Sequence, residues 1–362
     1  MQPEHKTKKP TLADIEALTG ISKSTISRVL NNSKFVTPDI TAKVMAAIEE
    51  TGYKKNTPKL QTGITISRIT LVVGDYVGLS TGFYSYLISH IKEEAQRIHL
   101  NVELLVLHDI QNAEAVASQV AGQEAILLLG LDAPTVLEVI QAQGIPAVII
   151  NGADLNMVSS CVSPDYTLGA MMATRHLIEA GHQDIRFITA GYRHSLFQRK
   201  AGFMRALELA GMGFDVSSQV LTLEDYARHQ MHNEALAVEI EADRAGGDFG
   251  AAQVIPHALT HGALAGATAL FCVSDMVAIS VMDCLRQAGV DVPGSVSVVG
   301  FDDLAISSLT SPPLTTVRTD FAALTKSAVH LLVTETGQQH DFSVRLNTQV
   351  HFVARQSVKT LK

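Results

Sequence analysis

From Ile66 onward, short runs of β-branched and aliphatic residues alternate with amphipathic stretches, and this alternation leaves the chain few folds to choose from. ITLVV (69 to 73) precedes a predicted helix over 83 to 97, and VELLVL (102 to 107) precedes one near 113 to 120. AILLLG (125 to 130) and AVIIN (147 to 151) bracket a segment with Val136, Val139 and Ile140 at helical spacing. Strands that read as continuous apolar runs, each followed by a helix, belong to parallel sheets covered on both faces. A second set begins after Asp165: helix 168 to 180, strand IRFITA (185 to 190), helix 199 to 211, ALFCV (269 to 273), helix 275 to 288 and VSVVGFD (296 to 302). Two parallel-sheet lobes are expected, and ligands of such sheets bind at the carboxyl ends of the strands.

The first sixty residues follow another rule. TLADIEALTGISKSTISRVLN (11 to 31) reads as two short helices about a glycine. Thr11 can cap the first, whose apolar positions are Leu12, Ile15 and Leu18, and Gly20 ends it. Ser22 caps a second helix with Ile26, Val29 and Leu30 as its stripe. A third starts at Thr37-Pro38, buries Ile40, Val44, Ala47 and Ile48, and stops at Gly52. Such a helix-turn-helix presents the amino-terminal end of its second helix to a major groove, here Lys23, Ser24 and Thr25, with Ser27 and Arg28 following. Charge agrees: residues 1 to 60 carry a net +4 and the remainder −12, so a polyanion would meet the head alone.

Residue by residue, the head resembles that of the LacI/GalR (lactose-repressor-like) family, whose text runs T-x-x-D-I-A-x-x-A-G-V-S-x-x-T-V-S-R-V-L-N. Thr11, Asp14, Ile15, Gly20, Ser22, Thr25, Ser27, Arg28, Val29, Leu30 and Asn31 stand in register with it, as do Val36-Thr37, Thr41, Lys43-Val44, Ala47 and Gly52-Tyr53 with the stretch that follows. The body carries matching text in GHQDIRFITAG, RKAGF, SDMVAISVMDCLRQAGVDVPGSVSVVGFDD and SPPLTTVR. Two parallel sheets in succession also resemble periplasmic sugar-binding proteins. The resemblance implies a helix-turn-helix head (1 to 56), a hinge (57 to 67) and a periplasmic-binding-protein-like domain of two lobes. The first lobe would comprise 68 to 164 and 319 to 348, the second 165 to 318 and 349 to 362, with crossings near 164, 318 and 348.

The implied function is a transcriptional regulator, a repressor by family habit, bound as a homodimer to a near-palindromic double-stranded operator. Lys23, Ser24 and Arg28 would read bases and Thr25, Ser27 and Asn31 would hold backbone, with Thr11 and Ser22 also at the DNA-binding surface. The hinge departs from the family: Lys55 replaces a proline, and GYKKNTPKLQTG aligns only with one residue deleted. In that alignment Leu60 is a minor-groove wedge and Lys59 a backbone contact; otherwise the hinge is shortened and kinks DNA less. For the effector, carry-over indicates Phe83, Asp165, Arg199, Ser274, Asp275 and Asp302. Arg with Asp at strand ends can bind a polyhydroxylated ligand; the resemblance implies a sugar or sugar derivative, with a nucleoside or purine as the alternative. Asp275 could equally cap a helix, and Asp302 or Asp303 serve a turn. Ser274 stands where the family has asparagine.

Three other patterns are weaker. Gly78-Leu79-Ser80-Thr81-Gly82 spells a nucleophile elbow, but several residues separate it from the strand, so hydrolysis by Ser80 is not expected. His257 and His261, four apart, could chelate a metal, yet no carboxylate or cysteine completes a set, and a solvated helix face is expected. No cofactor motif is present. The stretch 224 to 246 is longer and more charged than the pattern requires and reads as an inserted surface helix. Cys161, Cys272 and Cys284 lie among apolar neighbours, no apolar run is long enough for a membrane span, and no signal peptide is read at the start, so a cytoplasmic protein is expected.

Overall fold

A computed structural model of the chain describes residues 12–30, 38–51, 66–74, 82–131, 133–242, 247–337 and 342–361. Two compact units emerge, Met1–Gly63 and Ile64–Lys362. In the first, α1 (Leu12–Thr19), α2 (Lys23–Leu30) and α3 (Pro38–Thr51) surround a small core of Ile15, Ile26, Val29, Val44 and Ala47, with Leu12, Ile21, Ile40 and Ile48 packed on it. Gly20 ends α1 with φ +68, a conformation that costs a side-chain-free residue nothing. Leu18 does not join this core. It is 52% exposed, because three helices of this length close around one face only.

The second unit holds two α/β lobes. Lobe 1 begins with β1 (Arg68–Gly74), α4 (Phe83–Arg97), β2 (Asn101–Leu107), α5 (Ala113–Val120), β3 (Ile126–Leu129), α6 (Pro134–Ala142), β4 (Ala147–Ile150) and β5 (Ser160–Pro164). Lobe 2 follows with α7 (Tyr166–Glu179), β6 (Ile185–Thr189), α8 (His194–Leu209), α9 (Val216–Gln219), β7 (Val220–Thr222), α10 (Leu223–His229), α11 (Glu234–Glu241), α12 (Ala251–Thr260), β8 (Ala269–Cys272), α13 (Asp275–Gln287), β9 (Ser297–Val299) and β10 (Thr316–Thr319). The chain then returns to lobe 1 for α14 (Phe321–Gly337) and β11 (Arg345–Thr348), and ends in lobe 2 with β12 (Val350–Val353).

The lobe 1 sheet has the order β11-β5-β4-β3-β1-β2 and is parallel throughout. Its faces are buried in separate cores, one including Ile69, Leu71, Leu87, Ile91 and Leu332, the other Val72, Val116, Leu128 and Val136. Burial on both faces is the reason these strands show no polar alternation. The lobe 2 sheet, β7-β6-β8-β9, is also parallel, and its core includes Phe187, Phe203, Phe271 and Phe301. The antiparallel pair β10–β12 adjoins it, through bridges from Val299 to Thr315 and from Asp302 to Arg318.

Residues 224 to 242 do not form a single surface helix. They contribute α10 and α11, which bury Leu223, Glu224, Ala227, Leu236, Ala237 and Ile240 in the lobe 2 core beside the edge strand β7. The misreading has a physical cause. Outward-facing Arg228, Glu234 and Glu241 pair with one another and dominate the composition of helices too short to show a clear apolar period. Helix α8 starts at His194, earlier than the apolar pattern suggests.

Candidate functional site

The head offers a small polar surface at the start of α2. Ser22 caps the helix: its Oγ accepts from the Thr25 amide at 3.4 Å and meets the Thr25 hydroxyl at 3.1 Å. Lys23 beside it is exposed and forms a loose ion pair with Glu16, 3.6 Å away. Such an exposed pair contributes little, so Lys23 is available to exchange Glu16 for a phosphate or a guanine edge. Thr11, Asn31, Lys59 and Leu60 lie outside the described residues, and so do the side chains of Ser24, Ser27 and Arg28 and the whole of Ser80.

In the body, the carboxyl ends of the lobe 2 strands carry the densest chemistry. Arg199, on the first turns of α8, is 5% exposed. Its guanidinium lies between the rings of Phe301 (4.1 Å) and Tyr166 (4.6 Å). Nη2 donates to Asp302 Oδ1 at 3.1 Å and Nη1 to the Val273 carbonyl, whereas Nε is buried with no hydrogen-bond partner among the described residues. Burial pushes the Asp302 carboxyl up to about 6, opposed by the adjacent guanidinium. Asp302 also holds φ at +116, a strained value for a residue with a side chain. Two backbone bonds to β10 hold it there, its N–H donating to the Val317 carbonyl at 2.7 Å and its carbonyl accepting from Thr319 N–H at 3.3 Å.

Lobe 1 answers with Tyr84. Its hydroxyl accepts from Arg193 of lobe 2 at 2.6 Å and from Asn151 Nδ2 at 3.3 Å, and the Tyr166 hydroxyl donates to Asn151 Oδ1. A polar relay thus runs across the cleft from Arg193 through Tyr84 and Asn151 to Tyr166, against which Arg199 is stacked. Burial raises the Tyr166 hydroxyl far above the usual phenol range, so it serves as a neutral donor. Gly130, at φ +65, ends β3 under the Tyr84 ring, where an added Cβ would lie 3.0 Å from Cε1. The positive φ favours glycine there, and a side chain would have to displace the ring.

The other carried-over residues take different places. Phe83 turns into lobe 1, its ring 5.2 Å from that of Phe321, so the aromatic reaching across the cleft is Tyr84. Asp165 caps α7, accepting from the Leu168 amide at 2.9 Å, and lines a cavity of about 150 Å³ with Ser163, His194, Ser195 and Gln198. Ser274 caps α13 by accepting from Val277 N–H at 3.3 Å. Asp275 is wholly buried: Oδ2 takes the Leu304 amide (2.8 Å) and the Ser307 hydroxyl, and Oδ1 the Thr316 hydroxyl. Both oxygens are engaged in tying the 304–307 turn and β10 to α13, which makes Asp275 a brace rather than a ligand contact. Burial, with Asp302 nearby, raises it to about 7. His257 stacks on His261 with ring centroids 3.8 Å apart and meets the Tyr226 hydroxyl at 3.2 Å.

Four cleft residues were not singled out from sequence: Tyr84, Asn151, Tyr166 and Arg193. Asn151 and Arg193 carried a usable signal, since each is polar within four residues of the carboxyl end of an apolar strand. Glu224, also not singled out from sequence, lies behind Gly191 with one carboxylate oxygen accepting that amide. Burial raises its carboxyl above the usual range.

Comparison with known proteins agrees with the fold. Residues 11–56 match the family described as bacterial regulatory proteins, lacI family. Residues 68–239 match periplasmic binding proteins and sugar binding domain of LacI family, and 174–358 a periplasmic binding protein-like domain. The HTH-type transcriptional regulator MalR of Streptomyces coelicolor is 30% identical over 346 residues, 90% of each chain. The ribose operon repressor of Haemophilus influenzae is 27% identical, covering 97% of this chain and 99% of that protein. Among solved structures, a transcriptional regulator CelR–cellobiose complex aligns with TM-score 0.67 and 26% identity, over 96% of this chain and 99% of the other. No helix among the described residues is long and apolar enough to cross a membrane.

Proposed function

The chain belongs to the LacI family of bacterial regulatory proteins, and from that membership we propose that it represses transcription as a homodimer on a near-palindromic operator, controlled by a sugar or sugar derivative held between its two lobes. Family members are transcriptional regulators, and the cleft is given a binding role rather than a catalytic one. The observation that carries the effector reading is Arg199: a buried guanidinium, stacked on two rings, paired to Asp302, with Nε lacking a partner among the described residues. An Arg–Asp pair at strand ends supplies fixed donors and acceptors, which is how a polyhydroxylated molecule is held. The relative solved with cellobiose has the same overall fold.

On the DNA side, α2 would enter the major groove with Lys23, Ser24 and Arg28 toward base edges, and Thr11, Ser22, Thr25, Ser27 and Asn31 on the backbone. Residues 57 to 67 would form the hinge, with Lys59 on phosphate and Leu60 as the wedge. On the effector side Arg199 and Asp302 would contact the ligand, joined by Tyr84 and Arg193. Capture of fragmented genomic DNA on the purified protein, with sequencing and a salt titration of the best fragment, tests the reading. A single enriched palindrome, released or tightened by a sugar, is the expected result. Binding that stays sequence-blind at every salt concentration, with and without sugars, would sink it.

A further inference from the structure

Parallel pairing of β6 with β7 sets Thr189 opposite Thr222, so Gly191 and Glu224 lie two residues past the carboxyl ends of neighbouring strands. That edge of the sheet is the one that faces lobe 1, since Arg193, two residues beyond Gly191, reaches the Tyr84 hydroxyl. Glu224 therefore lies at the same lobe-1-facing edge of the lobe 2 sheet that carries Arg193, bonded to the Gly191 amide. It is 5% exposed. One oxygen accepts the Gly191 amide, while Oε2 is buried with no hydrogen-bond partner among the described residues. Gly191 allows this approach, because a Cβ there would sit 2.9 Å from Glu224 Oε1.

A buried carboxylate oxygen left unpaired is costly unless a donor arrives to complete it. We infer that Glu224 is a specificity-determining residue of the effector site, its Oε2 accepting a hydroxyl of a neutral sugar and turning away ligands that carry a phosphate at that end. This rests on the effector reading above and adds a polarity to it. Arg193 and Arg199 alone would welcome an anion; a carboxylate on the same edge reverses that preference locally.

The test uses the full-length protein and two variants, Glu224→Gln and Arg199→Lys. The probes are D-glucose, D-galactose, D-ribose, maltose and cellobiose, with glucose 6-phosphate, galactose 1-phosphate and ribose 5-phosphate, read by thermal shift and calorimetric titration. Glutamine keeps an oxygen for the Gly191 amide, so the unliganded melting temperature should stay close to wild type. Binding of a neutral sugar should weaken about five- to tenfold in Glu224→Gln, the difference between a charge-assisted and a neutral hydrogen bond. Discrimination against the phosphate ester should narrow as well. If Glu224 only supports the Gly191 turn, Glu224→Gln will bind sugar as wild type does while Arg199→Lys does not. That result overturns this inference and leaves the effector reading standing. Tighter binding of a phosphate ester than of its parent sugar would overturn it too. Failure of every probe on the wild-type protein would remove the sugar reading, and this inference with it.

Discussion

Arg199 and Asp275 are both buried charges at the carboxyl edge of the lobe 2 sheet, and counting partners separates their tasks. Asp275 has both oxygens occupied by groups of its own chain, whereas Arg199 keeps Nε in reserve. Replacing Arg199 with lysine leaves a point charge that cannot stack and fork together, so effector affinity should drop roughly ten- to a hundredfold. Titration of DNA release by the effector measures this, and an unchanged midpoint would take Arg199 out of the site. Asp275 yields a pH prediction. Its ordinary value is 3.8 and burial lifts it to about 7, so between those pH values the folded state holds more protons than the unfolded one. Stability therefore falls as pH rises from about 4 to 7 and is flat beyond, with Asp302, raised to about 6, adding the same sign. Relative to wild type, Asp275→Asn should gain on the order of 2 kcal/mol between pH 4.5 and pH 8 in urea denaturation of the protein. Parallel pH profiles for the two proteins would contradict the assignment. The sequence could not separate a brace from a ligand contact at Asp275, because what closes over it comes from residues 304 to 316, some thirty to forty positions away. Arg199 was legible because the R-x-x-G-F text fixes both the arginine and the glycine that follows it.

That glycine belongs to the scale of elements. Gly202 on α8 faces α7 so closely that an added Cβ would strike the Thr167 carbonyl oxygen and lie 2.8 Å from Ala170 Cβ. The two helices pack here with backbone nearly on backbone, and the partner oxygen cannot rotate away. Gly202→Ala should cost about 1–3 kcal/mol in denaturant unfolding, despite the better helix propensity of alanine. Because α8 carries Arg199, the displaced helix should weaken effector binding as well; a variant of wild-type stability would show that the helices can separate freely. Strand and helix positions were readable wherever the pattern was long: α4, α5 and the inner strands of lobe 1 follow from continuous apolar runs and helical spacing. The failures are short or edge elements. Strand β7 has three residues, and α10 and α11 hide their buried faces behind Arg228, Glu234 and Glu241. Glu224 was lost for that reason, since a charged residue in a charged stretch gives no sign that its own side chain is buried.

At the scale of the whole molecule, charge divides the labour between the two units. The first sixty residues carry +4 and the rest −12, so the phosphate contacts of an operator complex must come from the head and hinge. Counterion release then gives a countable signal. Each phosphate neutralised contributes about −0.9 to the slope of log affinity against log salt, and each lysine removed from a phosphate takes that amount away. If Lys59 meets the backbone in both halves of a dimer, Lys59→Ala should flatten the slope by about 1.8. A change near 0.9 would mean that a single hinge engages at a time. Arg28→Ala, placed on base edges, should instead bring operator and random DNA closer in affinity at any one salt concentration. The pair of titrations therefore separates reading from holding. An unaltered slope in Lys59→Ala would place the hinge off the phosphates, which is what a shortened GYKKNTPKLQTG segment would produce. The operator would then be gripped by the helix-turn-helix alone, and the effector would have to act through the spacing of the two heads rather than through a hinge that locks.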